Sequence, residues 1–108
     1  MISDKKIFSF VKHFRAGIIG KGRPHKKCFM VCCPLVYMLR LSGIDCDLIV
    51  FEIEQFDGMH EHFCISLPDG RIIDPTASQF FSPDGSPMPE IYFGEIPNHY
   101  LIPISTAG

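Results

Sequence analysis

At 108 residues, with 46% hydrophobic and 20% charged residues, the chain has the composition of one globular domain and too little length for two. That size supports a core of moderate volume, to which ten Phe residues contribute, so neither a metal nor disulfides are required for folding. The net charge of −2 is unevenly spread: nine of the ten Lys and Arg residues lie at or before Arg40, and eleven of the twelve acids lie after it. This division reads as two halves that dock within one fold, in preference to a basic surface for an acidic partner. No basic motif interleaved with aromatic residues points to nucleic acid.

The longest apolar stretch, Cys28 to Leu39, is too short to span a bilayer and is interrupted by Pro34. The first residues, Met1-Ile2-Ser3-Asp4-Lys5-Lys6, carry no apolar region of the secretory kind. Five cysteines is an odd number, and Cys32 and Cys33 are adjacent. Free thiols in a reducing compartment, hence a cytoplasmic protein, are the expectation.

Residues 3–15 have helical spacing, with Ser3 as the cap, Asp4 in the first turn and Ile7, Phe10, Val11 and Phe14 on the core side. Gly17 and Gly20 are expected to close this helix. Residues 20–27 form a basic loop, because Gly20, Gly22 and Pro24 oppose regular structure. A second helix lies within 28–42 and stops at Ser42-Gly43. Residues 46–54 read as a strand buried on both faces, and Gln55 to Met59 as a loop. Residues 60–67 alternate, with Phe63, Ile65 and Leu67 on one face and His60, His62, Cys64 and Ser66 on the other. Pro68-Asp69-Gly70 is a turn, and Arg71 to Asp74 is the returning strand. After Thr76 the chain is rich in Pro and Gly, and loops are expected, with one late strand near residues 100–104. Two helices followed by strands predict an α+β domain, residues 1–108, with helices packed on a small antiparallel sheet.

A chemical pattern runs through these elements. If Pro68, Asp69 and Gly70 make a three-residue loop, Leu67 faces Arg71 and Cys64 faces Asp74. Asp74 then becomes a diagonal neighbour of His62 on the same face. A carboxylate beside an imidazole fixes its tautomer and leaves the other ring nitrogen to take a thiol proton. Cys28 opens the second helix just after Arg23, His25, Lys26 and Lys27. Helix-start N–H groups and nearby cations favour a thiolate there, and the Cys28 N–H is a donor for a developing oxyanion. Pro34 suits a first helical position, which on capping logic makes Cys33 a rival for the helix-opening thiol. His60 shares the face of His62 and is its rival as base. Cys32, Cys33 and Cys64 are expected in the core, Cys46 as a structural residue after the helix exit, and Thr76 and Gln79 are candidate supports.

Cys28 through Ile44 resembles the nucleophile helix of the transglutaminase-like (papain-like) superfamily: a cysteine opening an apolar helix, then Leu39-Arg40, then Gly43-Ile44. The segment from His62 through Gly70 to Asp74-Pro75-Thr76 is similar to that family's histidine strand and its Asp-Pro-Thr. The likeness covers about residues 28–80. It implies a minimal papain- or transglutaminase-like core with Cys28 as nucleophile, His62 as base and Asp74 as orienter. It further implies action on an amide or acyl bond of a protein, peptide or small amide substrate, with no cofactor and no metal. Peptidase, amidase, glutamine deamidase and acyltransferase activities all fit. The sequence departs from the family in having Phe63 where Trp is frequent, and in lacking an upstream Gln or Asn for an oxyanion hole.

Two other classes fit some of the same residues. A non-catalytic binding or inhibitory domain would keep the fold with an unreactive Cys28. A zinc module would draw on Cys28, Cys32 or Cys33, His60, His62 and Cys64, although no Cys-x-x-Cys pair is present.

Overall fold

A computed structural model describes residues 3–19 and 28–102 of the chain. The basic loop at 20–27 therefore lies outside the described residues, as does the end of the expected late strand. The first helix, α1, spans Asp4–Ile19. Ser3 caps it, its side-chain oxygen accepting the Lys6 N–H at 3.3 Å. Ile7 and Val11 enter the core, and Phe10 and Phe14 pack against it. The helix runs through Gly17, where a stop was expected. An exposed helical glycine costs only about 1 kcal/mol relative to Ala, and Arg15 ties the last turns down by donating from Nε to the Pro75 carbonyl at 2.5 Å.

The second helix, α2, spans Cys28–Leu41 with Pro34 inside it. Proline removes the N–H that would bond the Met30 carbonyl, yet the helix continues, because Val31, Cys32, Leu35, Val36 and Leu39 are all buried along one side. It ends in a Schellman turn: Ile44 N–H bonds the Leu39 carbonyl and Gly43 N–H bonds that of Arg40, both at 3.0 Å. Gly43 takes φ 88° there, a conformation that favours glycine.

Five antiparallel strands follow: β1 (Asp47–Gln55), β2 (Gly58–Ser66), β3 (Arg71–Asp74), β4 (Tyr92–Glu95) and β5 (Tyr100–Leu101), ordered β4-β3-β2-β1-β5 in the sheet. A short 3-10 turn, Ala77–Gln79, precedes β4. The arrangement is α+β with both helices N-terminal to the sheet, as expected. The expected loop at 55–59 shrinks to Phe56-Asp57, because Gln55 pairs with Gly58. The strand at 92–95 was not foreseen: Tyr92-Phe93-Gly94-Glu95 sits among prolines and carries no clear alternation. It forms because β3 offers an open edge, pairing Ile73 with Phe93 and Asp74 with Tyr92.

The β2–β3 hairpin has the register expected of a three-residue loop. Ile65 pairs with Ile73 and Ser66 with Ile72, and Leu67 N–H bonds the Arg71 carbonyl at 2.9 Å. Gly70 supplies the left-handed residue at φ 90°. This register sends Ile65, Leu67 and Ile73 to the face covered by α1 and α2, where they join Val11, Val31, Leu35 and Leu39. It sends Cys64 and Ile72 to the opposite face, beside Phe51 and Ile53. That second face is covered by the Pro- and Gly-rich tail, through Ala77, Phe80, Met88 and Tyr100.

Ion pairs join the two halves of the chain at Arg15–Glu90 and, with the charges reversed, at Arg71–Asp4, and Arg40–Asp47 closes the boundary between them. No helix among the described residues is long and apolar enough to cross a membrane.

Candidate active site

The tail-covered face carries a fully buried polar group, His62, Asp74 and Thr76, each with no exposed surface. A buried histidine and a buried carboxylate persist only where hydrogen bonds replace the lost water. His62 comes from the middle of β2 and Asp74 from the last position of β3. Nε2 of His62 and Oδ2 of Asp74 are 2.6 Å apart. Because the carboxylate accepts, Nε2 carries the hydrogen and the tautomer is fixed. Nδ1 is then the nitrogen that can accept a proton.

Asp74 is held from several sides. Its Oδ1 accepts the Thr76 N–H at 3.1 Å, closing the turn that an Asp-Pro dipeptide favours. Its Oδ2 also accepts the Tyr100 O–H at 2.5 Å, and the Cys64 thiol hydrogen-bonds the carboxylate. The residue thus serves both as turn former and as partner of His62. The imidazole is clamped edge-on by Phe80, 4.7 Å between ring centres, and by Tyr100, 5.7 Å.

Cys28, the first residue of α2, is 8% exposed. Its sulfur faces the His62 side chain and the backbone of Phe63 and Phe29, all of which favour its ionised form. Burial alone would raise the thiol pKa. The His62 hydrogen bond, helped by the Phe63 backbone and the imidazolium charge, outweighs it, and the Cys28 pKa falls below the ordinary thiol value. For His62, burial works against the charged form. Hydrogen bonds to Asp74 and Cys28 and the charges of both outweigh it, lifting the imidazole to about 9. The two shifts have one cause: each group favours the charged form of the other.

The other cysteines differ. Burial pushes Cys32 and Cys64 well above the ordinary range and raises Cys46. Cys32 donates to the Phe63 carbonyl at 3.2 Å, and Cys46 to that of Val36 at 3.7 Å. Cys32 and Cys64 are the core thiols that were expected, and Cys46 is buried in the structural place expected of it. Cys33 is not: it is exposed on α2, because the helix turns it away from the side that packs on the sheet. Since the helix starts at Cys28, Pro34 is not a first helical residue and Cys33 is not a cap. His60, the rival base, bonds Asp57 at 2.7 Å in the β1–β2 turn.

Gln79 stands against the site from the 3-10 turn. Its Nε2 lies 3.2 Å from His62 Nδ1 and donates to Thr76 Oγ1 at 3.1 Å. This contact fits the neutral imidazole, whose Nδ1 can accept from the amide. Tyr100 was missed altogether, since a tyrosine near a short late strand carries no signal of its partner 26 residues away.

One donor atom each from His62, Cys64 and Asp74 falls within 4.8 Å of the others, and His, Cys and carboxylate are zinc-type ligands. Both Asp74 oxygens and His62 Nε2 are engaged with one another or with Thr76 and Tyr100. Of the other residues the zinc reading drew on, His60 bonds Asp57 and Cys33 is exposed. No protein-family model, curated protein or solved structure matches the chain.

Proposed function

We propose that this domain is a cysteine-nucleophile enzyme acting on amide or acyl bonds, through Cys28, His62 and Asp74, on a papain- or transglutaminase-like core. The observation that carries this reading is the buried His62–Asp74 hydrogen bond with the Cys28 sulfur beside the same imidazole.

The chemistry follows from the protonation states. The Cys28 thiolate attacks the carbonyl carbon of a carboxamide, forming a C–S bond and moving the carbonyl π electrons to oxygen. The Cys28 backbone N–H is the donor for that oxyanion. Collapse breaks the C–N bond as His62 gives its Nδ1 proton to the departing amine, leaving a thioester. Water or an amine then attacks the thioester. His62 takes its proton, the C–S bond breaks and the thiolate returns. Asp74 keeps the imidazole oriented throughout. Peptidase, amidase, glutamine deamidase and acyltransferase share these steps and differ in leaving group and acceptor; the substrate is a protein, a peptide or a small amide.

A second reading, a non-catalytic binding domain on the same fold, has one observation behind it, the low exposure of Cys28. Alkylation by iodoacetamide near pH 6, read by mass spectrometry on intact and digested protein, separates the two. The catalytic reading expects Cys28 to label at least about tenfold faster than a free thiol, which is hardly ionised at that pH, and to slow in His62→Ala. Labelling at no more than the free-thiol rate would favour the binding domain.

A further inference from the structure

We infer that Tyr100 is a positioning residue of this site, fixing the Asp74 carboxylate and limiting how strongly it draws on the His62 imidazole. The inference rests on the catalytic reading above. The Tyr100 hydroxyl donates to Asp74 Oδ2 at 2.5 Å, and the same oxygen accepts from His62 Nε2 at 2.6 Å. Tyr100 is 4% exposed, and its ring packs on Phe51 at 5.5 Å and edge-on to His62. Its backbone is held by pairing with Ile53 across β1–β5 and by the Pro97 carbonyl, which accepts its N–H at 3.0 Å. A tyrosine so enclosed has one polar function, and it is spent on the oxygen that orients the base.

Two donors on one carboxylate oxygen compete for the same electron density. With the hydroxyl present, Oδ2 is a weaker acceptor for His62. With it removed, Oδ2 serves His62 alone, becomes a stronger acceptor and holds the imidazolium proton more tightly. Oδ1 stays tied to the Thr76 N–H, so the carboxylate keeps one anchor.

Other titratable groups face this pair: Cys28 and Cys32 from α2, Cys64 from β2, Tyr92 from β4, and His99 just before β5. Burial keeps Cys32, Cys64 and Tyr100 protonated across neutral pH, and it lowers the pKa of His99. His62, beside Asp74, changes charge near pH 9.

The test is carboxymethylation of Cys28 by iodoacetate, an anion drawn in by the imidazolium, over about pH 5 to 10. In the wild type the rate should fall as pH rises through about 9, where His62 loses its proton. In Tyr100→Phe that alkaline limb should move up by about half a unit or more. A second variant keeps the hydroxyl and its shape: 3-fluorotyrosine placed at position 100 is a stronger donor and should move the limb down. It also covers the case in which Tyr100→Phe does not fold. A limb unmoved in the folded variants, with Cys28 still labelling fast, overturns the role of Tyr100 alone. Slow labelling of Cys28 in the wild type overturns the catalytic reading, and this inference with it.

Discussion

The two faces of the sheet are built on different principles. The helix-covered face is apolar: Val11, Val31, Leu35, Leu39, Ile65 and Ile73 interlock there, and each contributes by area and fit. The tail-covered face buries Phe51, Ile53, Ile72 and Phe80, but sets among them a histidine and an aspartate with no exposed surface. On the first face a lost contact is a local loss. On the second, packing also maintains the dryness in which the Asp74–His62–Cys28 hydrogen bonds are strong. One α-helix links the two, since α2 packs on the first face along most of its length and delivers Cys28 to His62 at its start.

Paired truncations should expose the difference, and they carry the largest expected effects. Asp74→Ala leaves a buried imidazole without its partner and should cost about 3–5 kcal/mol of stability. It should also slow Cys28 alkylation near neutral pH by about tenfold or more, since an ordinary thiol is only a few per cent ionised there. Leu35→Ala opens a cavity on the other face and should cost a comparable ~2–5 kcal/mol, with Cys28 reactivity in the remaining folded protein within about twofold of wild type. Urea denaturation together with alkylation rates measures both quantities. A Leu35→Ala protein that loses reactivity as severely as Asp74→Ala would show that the faces are not separable.

This contrast also governs what could be read in advance. The helix-covered face was legible because periodicity encodes it: the 3.6-residue spacing of Ile7, Val11 and Phe14, and the alternation of Phe63, Ile65 and Leu67, name their burial directly. The hairpin register was legible for a second reason. Gly70 after Pro68-Asp69 implies a three-residue loop, and that loop places Asp74 on the face of His62. The tail was opaque. Its prolines and glycines hide β4, whose pairing is a property of the open edge of β3, and nothing local ties Tyr100 to Asp74. Pro34 misled in the other direction. Local rules made it a helix start and raised Cys33 as a nucleophile, but burial of one whole side of α2 outweighs the hydrogen bond that proline removes.

A smaller and sharper comparison is available among the thiols. Cys28 and Cys64 both lie beside this polar group, yet their ionisation moves in opposite directions, down for Cys28 beside His62 and up for Cys64, through burial and then Asp74. With iodoacetamide, labelling of Cys28 should therefore rise along an acid limb that lies below the ordinary thiol value of about 8.5. Its cause is the imidazolium, which persists until pH passes about 9. Removing the cation in His62→Ala should carry the limb upward toward the ordinary value or beyond it, since burial then acts alone. Cys64 should stay unlabelled in the folded protein at every pH in this range. Equal labelling of the two thiols, followed by peptide mass spectrometry, would contradict the environments described for them.

The smallest expected effect concerns the hairpin that sets Asp74 opposite Cys64. Gly70 holds φ 90°, and a Cβ built there meets no atom within 4 Å. Gly70→Ala therefore tests conformation without a steric clash. An L-residue in the left-handed region costs about 1–2 kcal/mol, and denaturation should show a loss of that size. Because Leu67 N–H to Arg71 O and the pairs Ile65–Ile73 and Ser66–Ile72 define the register, the loop can bear that strain without slipping. A slip of one residue would turn Asp74 to the helix-covered face and separate it from His62. Unchanged Cys28 alkylation in Gly70→Ala is thus the expected result. A modest loss of stability accompanied by lost reactivity would mean that the turn residue, and not the apolar alternation of β2 and β3, holds the register on which the site depends.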